Sequence, residues 1–190
     1  TWHGDGGVLT NQASHYVDLL EWMFGDVESV MCMTETRLAD IETEDTAVAI
    51  IRFRSGALGA IEATTAIRPK DLEGSLSVFG EKGSAIIGGF SCNQIQTWSF
   101  TEKLPEDATV IEEYRELPDN VYGFGHVAYL KEVIHSIRTG TKALVDGFEG
   151  RRSIELINAL YESAETGQVA HLHYKQRASK LGFQQQRPNS

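Results

Sequence analysis

A pair of glycines leads into a stretch whose polar side chains recur at helical spacing. Gly6 and Gly7 precede Asn11, His15 and Asp18, which are four and three residues apart and therefore share one face of a helix. Paired glycines let another group approach the backbone closely. Because imidazole titrates near neutral pH, a histidine one turn beyond an amide can transfer a proton. The pattern by itself still favours a polar helix surface or a satisfied core pair over a catalytic site.

Three other groups of residues could meet a ligand. Arg68 and Lys70, on either side of a proline, form the best local cation cluster of an acidic chain; the cluster suits an anion, and a solvated charged turn explains it equally well. His126 opens a predicted helix, where it either contacts a substrate or simply lies near the helix N-terminus. His171 and His173 could chelate a metal, but no Cys or carboxylate lies nearby. We therefore predict a histidine pair on an edge strand and no metal.

The elements that position these residues follow from the hydrophobic period. A helix is predicted over Asn11 to Phe24, ended by Gly25, and two later helices over Gly125 to Arg138 and Glu149 to Glu165, ended by Gly140 and Gly167. Alternating or apolar runs bounded by turn residues predict strands over Val27 to Leu38, Asp45 to Arg54, Ala57 to Ile67, Gly74 to Gly80, Ser84 to Gly89, Gln94 to Phe100, Val110 to Leu117 and Val169 to Tyr174.

Short turns between successive strands predict an α+β fold with one large, mostly antiparallel sheet and helices packed on one face. We expect one domain over residues 1–174, followed by a polar tail over 175–190. The second predicted strand has apolar side chains on both alternating sets, for example Val48 and Ile50 on one set and Ile51 and Phe53 on the other. Three helices can cover only one face of a sheet of six or seven strands. The other face therefore predicts a homo-oligomer, a dimer or a tetramer.

Composition excludes several classes of protein. The 190 residues carry a formal charge of −10, which argues against a nucleic-acid surface because phosphate neutralisation needs clustered Lys and Arg. Apolar runs fall short of the ~20 residues that a membrane span requires. Cys32 and Cys92 lie in apolar, strand-like runs, so we predict buried free thiols and a reducing, cytoplasmic compartment. The chain starts at Thr1 without an initiator methionine or a signal-peptide pattern, and we expect that it begins within a longer protein.

The glycine-histidine stretch resembles G-G-G-x-x-x-D-x-x-x-H-x-x-D, the signature that opens the C-terminal domain of the Gfo/Idh/MocA oxidoreductases, the family of glucose-fructose oxidoreductase and inositol dehydrogenase. Gly6, Gly7, His15 and Asp18 match this signature. Two positions differ: Asp5 stands where the first glycine often is, and Asn11 replaces the usual aspartate. The similarity extends to 77–84, to Gly123-Phe124-Gly125-His126 and to Leu144-Val145-Asp146-Gly147.

The resemblance implies an NAD(P)-dependent sugar dehydrogenase that oxidises a hydroxyl to a ketone by hydride transfer. NAD would bind mainly to an N-terminal Rossmann domain outside this chain, with contacts here only from Asn11 and His15. His15 would be the catalytic base, usually assisted by a lysine of that other domain. Since an amide cannot relay a proton as a carboxylate does, Asn11 would position the sugar. This chain alone is expected to be inactive.

A narrower resemblance concerns the substrate. The segments 11–15, 68–71 and 123–126 are similar to bacterial UDP-N-acetyl-glucosaminuronate 3-dehydrogenases of lipopolysaccharide sugar synthesis. The substrate would then carry a diphosphate and a carboxylate. The alternative is a non-catalytic sugar-binding or oligomerisation module of the same fold. Segment 123–128 also fits a G-x-G-x-x-A dinucleotide fingerprint, but a polar, proline-broken approach argues against that use. The predicted substrate-binding residues are Asn11, Gln12, Asp18, Arg68, Lys70 and His126.

Overall fold

The computed structural model describes residues 1–70, 72, 74–89, 92–115 and 125–173. They belong to two compact units, a first unit of Thr1–Arg68 with the chain from Val145 onward and a second unit of Pro69–Leu144. In chain order the elements are α1 Ser14–Phe24, β1 Val27–Glu35, β2 Thr46–Phe53, β3 Leu58–Thr64, β4 Leu76–Gly80, β5 Gly83–Gly88, β6 Gln94–Phe100, a 3-10 turn Pro105–Ala108, α2 Val110–Glu113, α3 Gly125–Thr139, α4 Gly147–Thr166 and β7 Ala170–His171.

The first unit is built on a four-stranded antiparallel sheet in the order β3-β2-β1-β7. Helix α4 packs against β1, and α1 packs against α4. Alternation along β2 buries Ala47, Ala49, Ile51 and Phe53 beneath the helices, and each large side chain removed from water in this way contributes about 1.5–3 kcal/mol. The core of this unit therefore lies between one face of the sheet and α4.

The other face of this sheet is apolar and exposed. Met33 pairs with Val48 and Met31 with Ile50 across the β1–β2 ladder. These four side chains and Leu58 of β3 are 41% to 73% exposed. The two alternating apolar sets predicted for β2 are thus confirmed, with one set buried and the other left exposed by the described residues.

The connection between β1 and β2 is fixed by the buried carboxylate of Asp45. Its Oδ1 accepts hydrogen bonds from Arg37 N and Thr46 Oγ1, both at 2.9 Å. Its Oδ2 accepts from Leu38 N at 2.7 Å and Ala39 N at 2.9 Å. Burial by itself raises the pKa of this carboxyl, but the four donors outweigh burial and hold the pKa well below its usual range. The loop over 37–39 is therefore tied to the first residues of β2.

The second unit contains a three-stranded antiparallel sheet in the order β4-β5-β6. The strand predicted over Val110 to Leu117 is wrong for its described part, because Val110–Glu113 is helical. Glu113 N donates to Thr109 O and Tyr114 N to Val110 O, so backbone bonds within this short turn replace a ladder. Residues 116 and 117 lie outside the described part of the chain.

The antiparallel α+β fold class is confirmed. The strands form two sheets of four and three, where a single sheet of six or seven was predicted, since β3 pairs only with β2 and β4 only with β5 in the described residues. The predicted helix ends are confirmed at Gly25, Gly140 and Gly167, whose φ angles are 78°, 68° and 65°. No described helix has the length and apolar character needed to cross a bilayer.

The two cysteines are free, as predicted. Cys32 is buried in β1, where burial, with a smaller contribution from the charge of Glu44, raises its pKa to about 12. Cys92 is only half-buried. It lies in a turn before β6 with a φ of 52°, and not in a strand as predicted.

Candidate functional site

The two glycines that precede α1 meet different requirements. Gly6 adopts a φ of 66°, which L side chains rarely tolerate. At Gly7 the constraint is space, because a Cβ would overlap the carboxylate and the main-chain oxygen of Glu44. We call residues 6–10 the glycine turn. Its conformation is fixed both by the left-handed backbone at its first residue and by the buried glutamate beneath its second.

Helix α1 begins at Ser14, three residues later than predicted. The chain before it forms consecutive turns, in which Asn11 N donates to Gly7 O at 3.1 Å and Ala13 N to Val8 O at 2.9 Å. Asn11 therefore lies just outside the helix. Ser14 Oγ donates to Asn11 O at 3.0 Å, which ties the residue to the first turn of the helix.

The predicted polar stripe lies on the solvent side of this segment. Asn11, His15 and Asp18 of this stripe are exposed, and so is Gln12, which was predicted to bind substrate. Val17 and Leu20 face the interior. The imidazole of His15 is therefore outside the core of the first unit, as a proton-transfer role requires.

Asp18 has a protein partner. Its Oδ1 accepts a hydrogen bond of 2.6 Å from Ser153 Oγ on α4. This contact holds the middle of α1 against α4. Its carboxylate keeps further acceptor capacity, since each ionised carboxylate offers about four lone-pair sites.

The predicted cation cluster is divided between the two units. Arg68 ends the first unit, and Lys70 belongs to the second. Both are exposed. The Nη1 of Arg68 donates to Ile67 O at 2.7 Å and to Thr65 O at 3.4 Å, so the guanidinium folds back on its own main chain. His126, the second residue of α3, is exposed and also belongs to the second unit.

Two residues that sequence analysis did not single out lie beneath the glycine turn. Tyr161 of α4 donates from its hydroxyl to Glu44 Oε1 at 2.8 Å. The same hydroxyl oxygen accepts from Gly7 N at 3.2 Å and lies 3.0 Å from Thr10 Oγ1. Burial raises the pKa of Tyr161 well above its usual range, so the phenol stays protonated at neutral pH. A glutamate before a strand and a tyrosine in an amphipathic helix give no sequence signal for this contact.

A second buried glutamate supports the C-terminal end of α1. Glu21 is 6% exposed, and its Oε2 has no hydrogen-bond partner among the residues that the structure describes. It lines a cavity of about 10 Å³ together with Asp26, Arg152 and Glu155. Burial raises the pKa of Glu21 to about 7, with Arg152 opposing the shift and the nearby carboxylates adding to it. Arg152 is also paired with Asp26 at 2.9 Å.

The histidine pair lies at a sheet edge. His171 belongs to β7, the last strand of the first unit's sheet, and its ring stacks on that of His173 with a centroid separation of 6.1 Å. Among the described residues, no group of three or more His, Cys, Asp or Glu is arranged to hold a metal. The two rings therefore form a stacked pair at the edge of the sheet.

The first unit is an antiparallel sheet backed by helices, and its glycine turn leads into a helix that exposes a histidine. Comparison with protein families identifies the class of domain that has this arrangement. Residues 1–172 match the oxidoreductase family, C-terminal alpha/beta domain, of the Gfo/Idh/MocA type. The chain belongs to this family.

Particular relatives narrow the comparison. The WlbA dehydrogenase from Bordetella pertussis, solved in complex with NADH and UDP-GlcNAcA, is 46% identical with a TM-score of 0.82, over 88% of this chain and 48% of that one. The WlbA dehydrogenase from Chromobacterium violaceum, solved with the same two ligands, is 43% identical with a TM-score of 0.79, over 90% and 47%. Myo-inositol 2-dehydrogenase of Thermotoga maritima is 26% identical over 84% of this chain and 47% of its own length. The chain spans about half the length of these relatives.

Proposed function

We propose that this chain is the substrate domain of an NAD-dependent dehydrogenase that oxidises one hydroxyl of a UDP-N-acetylhexosaminuronate to a ketone. The observation that carries the proposal is the exposed imidazole of His15 directly after the glycine turn. His15 belongs to a chain that is 46% and 43% identical to two dehydrogenases solved with NADH and UDP-GlcNAcA. Imidazole supplies the near-neutral base that alcohol oxidation needs.

In the proposed reaction, His15 takes the proton of the sugar hydroxyl while the C–H bond of the same carbon breaks and the C=O bond forms. NAD, when bound, supplies the acceptor for the hydride. The amide of Asn11 both donates and accepts hydrogen bonds, which suits it to orient sugar hydroxyls. Two electrons and one hydrogen thus leave as hydride, and the second hydrogen leaves as the proton on His15.

The remaining predicted residues are assigned to substrate binding. Arg68 and Lys70 are proposed to meet the diphosphate and carboxylate, because charge-assisted bonds to anions are the strong ones in a solvated site. Gln12 and His126 are assigned to hydroxyl or amide groups of the ligand. Asp18, which already accepts from Ser153, would contribute its remaining acceptor positions.

We propose that NAD is held mainly by a nucleotide-binding domain outside this chain. Every strand pair described here is antiparallel, whereas a dinucleotide fingerprint follows a parallel strand of a βαβ unit. The relatives solved with NADH are about twice as long as the matched region. On this proposal the chain alone has no dehydrogenase activity. Its free cysteines suit the reducing cytoplasm.

We further propose that a second copy of the chain covers the exposed apolar face of the first unit's sheet. That face carries Arg52 and Glu62 beside its apolar side chains, and a patch with both charge signs can be self-complementary across a two-fold axis. Ile50→Asp, in the middle of this face, should turn the oligomer into a monomer in analytical ultracentrifugation. A wild-type protein that is monomeric at micromolar concentration would remove this part of the proposal.

The test of the proposed function is His15→Ala in the whole gene product, assayed with NAD and UDP-N-acetylglucosaminuronate. We expect kcat to fall by about 10²–10⁴-fold, with the calorimetric Kd of the sugar nucleotide changed by less than about threefold. His3→Ala, another exposed histidine, is the matched control and should keep wild-type kcat. Binding without turnover in the wild-type protein would favour the non-catalytic sugar-binding module instead.

A further inference from the structure

We propose that Glu44 and Tyr161 are positioning residues that hold the glycine turn, and through it Asn11 and His15, in the geometry needed for catalysis. This inference rests on the proposed function of His15. Neither residue contacts the solvent-exposed stripe itself, since Glu44 and Tyr161 are 2% and 1% exposed. They act from beneath, and we call them the Glu44–Tyr161 pair.

Hydrogen bonds hold the backbone of the glycine turn on the Glu44–Tyr161 pair. Three consecutive amides of the turn donate to the pair: Gly7 N to Tyr161 Oη at 3.2 Å, Val8 N to the main-chain oxygen of Glu44 at 3.0 Å, and Leu9 N to Glu44 Oε1 at 2.9 Å. Hydrogen bonds to every amide of a three-residue run leave that run one arrangement. A free turn with two glycines would otherwise sample several.

The hydroxyl protons of Tyr161 and Thr10 each have a defined acceptor. Tyr161 has a single hydroxyl proton, which it donates to Glu44 Oε1. Its oxygen is therefore the acceptor toward Thr10, whose hydroxyl must be the donor of their 3.0 Å contact. One tyrosine hydroxyl thus joins the turn at Gly7 and Thr10 to the buried carboxylate.

Main-chain hydrogen bonds connect the glycine turn to the candidate catalytic residues. Val8 O accepts from Ala13 N at 2.9 Å, and Ala13 O accepts from Val17 N at 2.9 Å. Gly7 O accepts from Asn11 N at 3.1 Å. The same residues that the pair holds from below therefore hold Asn11 and the first turn of α1, which contains His15.

The geometry also explains why catalysis would be sensitive to this pair. Misplacing a reacting group by about 1 Å can cost on the order of 10²-fold in rate, because reaction depends on near-attack geometry. Glu44 and Tyr161 are 117 positions apart in the sequence, and they meet beneath a third segment, the glycine turn. The pair therefore does not act as a local helix cap. It joins the connection before β2 and the C-terminal half of α4 to one short turn.

The experiment uses Tyr161→Phe in the whole gene product, because this change removes one hydroxyl and keeps the ring. We expect kcat to fall about tenfold while KM for the sugar nucleotide stays within about twofold. Amide hydrogen exchange at residues 7–9 should accelerate about tenfold, with β2 amides unchanged. Tyr114→Phe, an exposed tyrosine of the second unit, is the control and should match wild type in all three readouts.

A second pair of variants separates positioning from simple stability. Glu44→Gln keeps a carbonyl oxygen for Leu9 N and Tyr161 and should retain kcat within about threefold, whereas Glu44→Ala should lose more than about tenfold. Wild-type kcat in Tyr161→Phe, with or without a lower Tm, would overturn the positioning role. If the wild-type protein oxidises no sugar nucleotide, the proposed function fails, and unchanged amide exchange in Tyr161→Phe would then separately overturn the hold on the turn.

Discussion

The two ends of α1 rest on buried glutamates held in different ways. At the start, Glu44 Oε1 accepts from Leu9 N and the Tyr161 hydroxyl. Each of the two glutamates has one carboxylate oxygen, Oε2, without a hydrogen-bond partner among the described residues. What differs is that Glu21, at the end, faces a mixture of charges dominated by Arg152. Directional donors fix the position of a turn, while a charged cluster makes packing depend on protonation. The first arrangement suits a candidate catalytic turn and the second suits a structural joint.

Among the variants that test the difference between the two glutamates, Gly7→Ala is expected to change the unfolding free energy most. A methyl group there would overlap Glu44 and push the turn off the Glu44–Tyr161 pair, which should cost about 2–3 kcal/mol of unfolding free energy. Denaturant unfolding of the whole gene product measures it. The control is Gly150→Ala in α4, where a Cβ meets nothing within 4 Å; it should stabilise by up to about 1 kcal/mol. Equal stabilities for the two variants would contradict the crowding beneath the turn.

An intermediate effect is expected from Glu21→Gln. The pKa of Glu21 is raised from 4.5 to about 7, so the folded protein holds this proton where the unfolded chain has lost it. The stability from Glu21 is therefore fully present below pH 4.5 and is lost as pH rises through about 7. Gln resembles the protonated acid, so the variant should match wild type at pH 4 and exceed it by about 1–2 kcal/mol at pH 8.

Thermal melts at several pH values measure this difference, since groups shared by both proteins cancel. Glu28→Gln, an exposed position in β1, reports the effect of removing one charge from the same unit. A variant that is less stable than wild type at pH 8 would mean that ionised Glu21 and Arg152 stabilise each other more than burial penalises them.

The smallest effect is expected from Ser153→Ala. The change removes the 2.6 Å hydrogen bond to Asp18, an exposed contact that should contribute about 0.5–1 kcal/mol. Ser75→Ala, at an exposed position before β4, should change unfolding free energy by less than about 0.5 kcal/mol. A loss above about 2 kcal/mol would show that the middle of α1 is held as firmly as its start.

Local pattern was enough to predict most elements near the candidate site. The glycine pair, the outward polar stripe of α1 and the alternating burial of β2 follow from spacing that a short window of sequence contains. The helical segment Val110–Glu113 was mispredicted because two β-branched residues at its start favour a strand, while the preceding 3-10 turn continues the backbone bonding into a helix. Propensity was overridden there by the preceding turn.

The support beneath the site could not be predicted from the sequence. Glu44 looks like a solvated residue in an acidic connection, and it becomes buried only because Gly7 leaves room for its carboxylate and Tyr161 brings a donor from α4. Such a contact depends on the packing of three elements. Sequence spacing identifies which residues carry chemistry, and tertiary packing decides what holds them.

Glu44 and Asp45 are consecutive residues whose carboxylates serve opposite neighbours, the glycine turn in one direction and the amides of 37–39 in the other. An insertion at Asp40 or Ile41, both exposed, would lengthen the connection without moving either carboxylate. Deleting one residue from 43–45 would move both carboxylates out of register and release the glycine turn and the loop over 37–39 together. The tip of that hairpin is therefore open to changes in length in this chain, while Glu44 and Asp45 at its base set the register of the two loops that flank them.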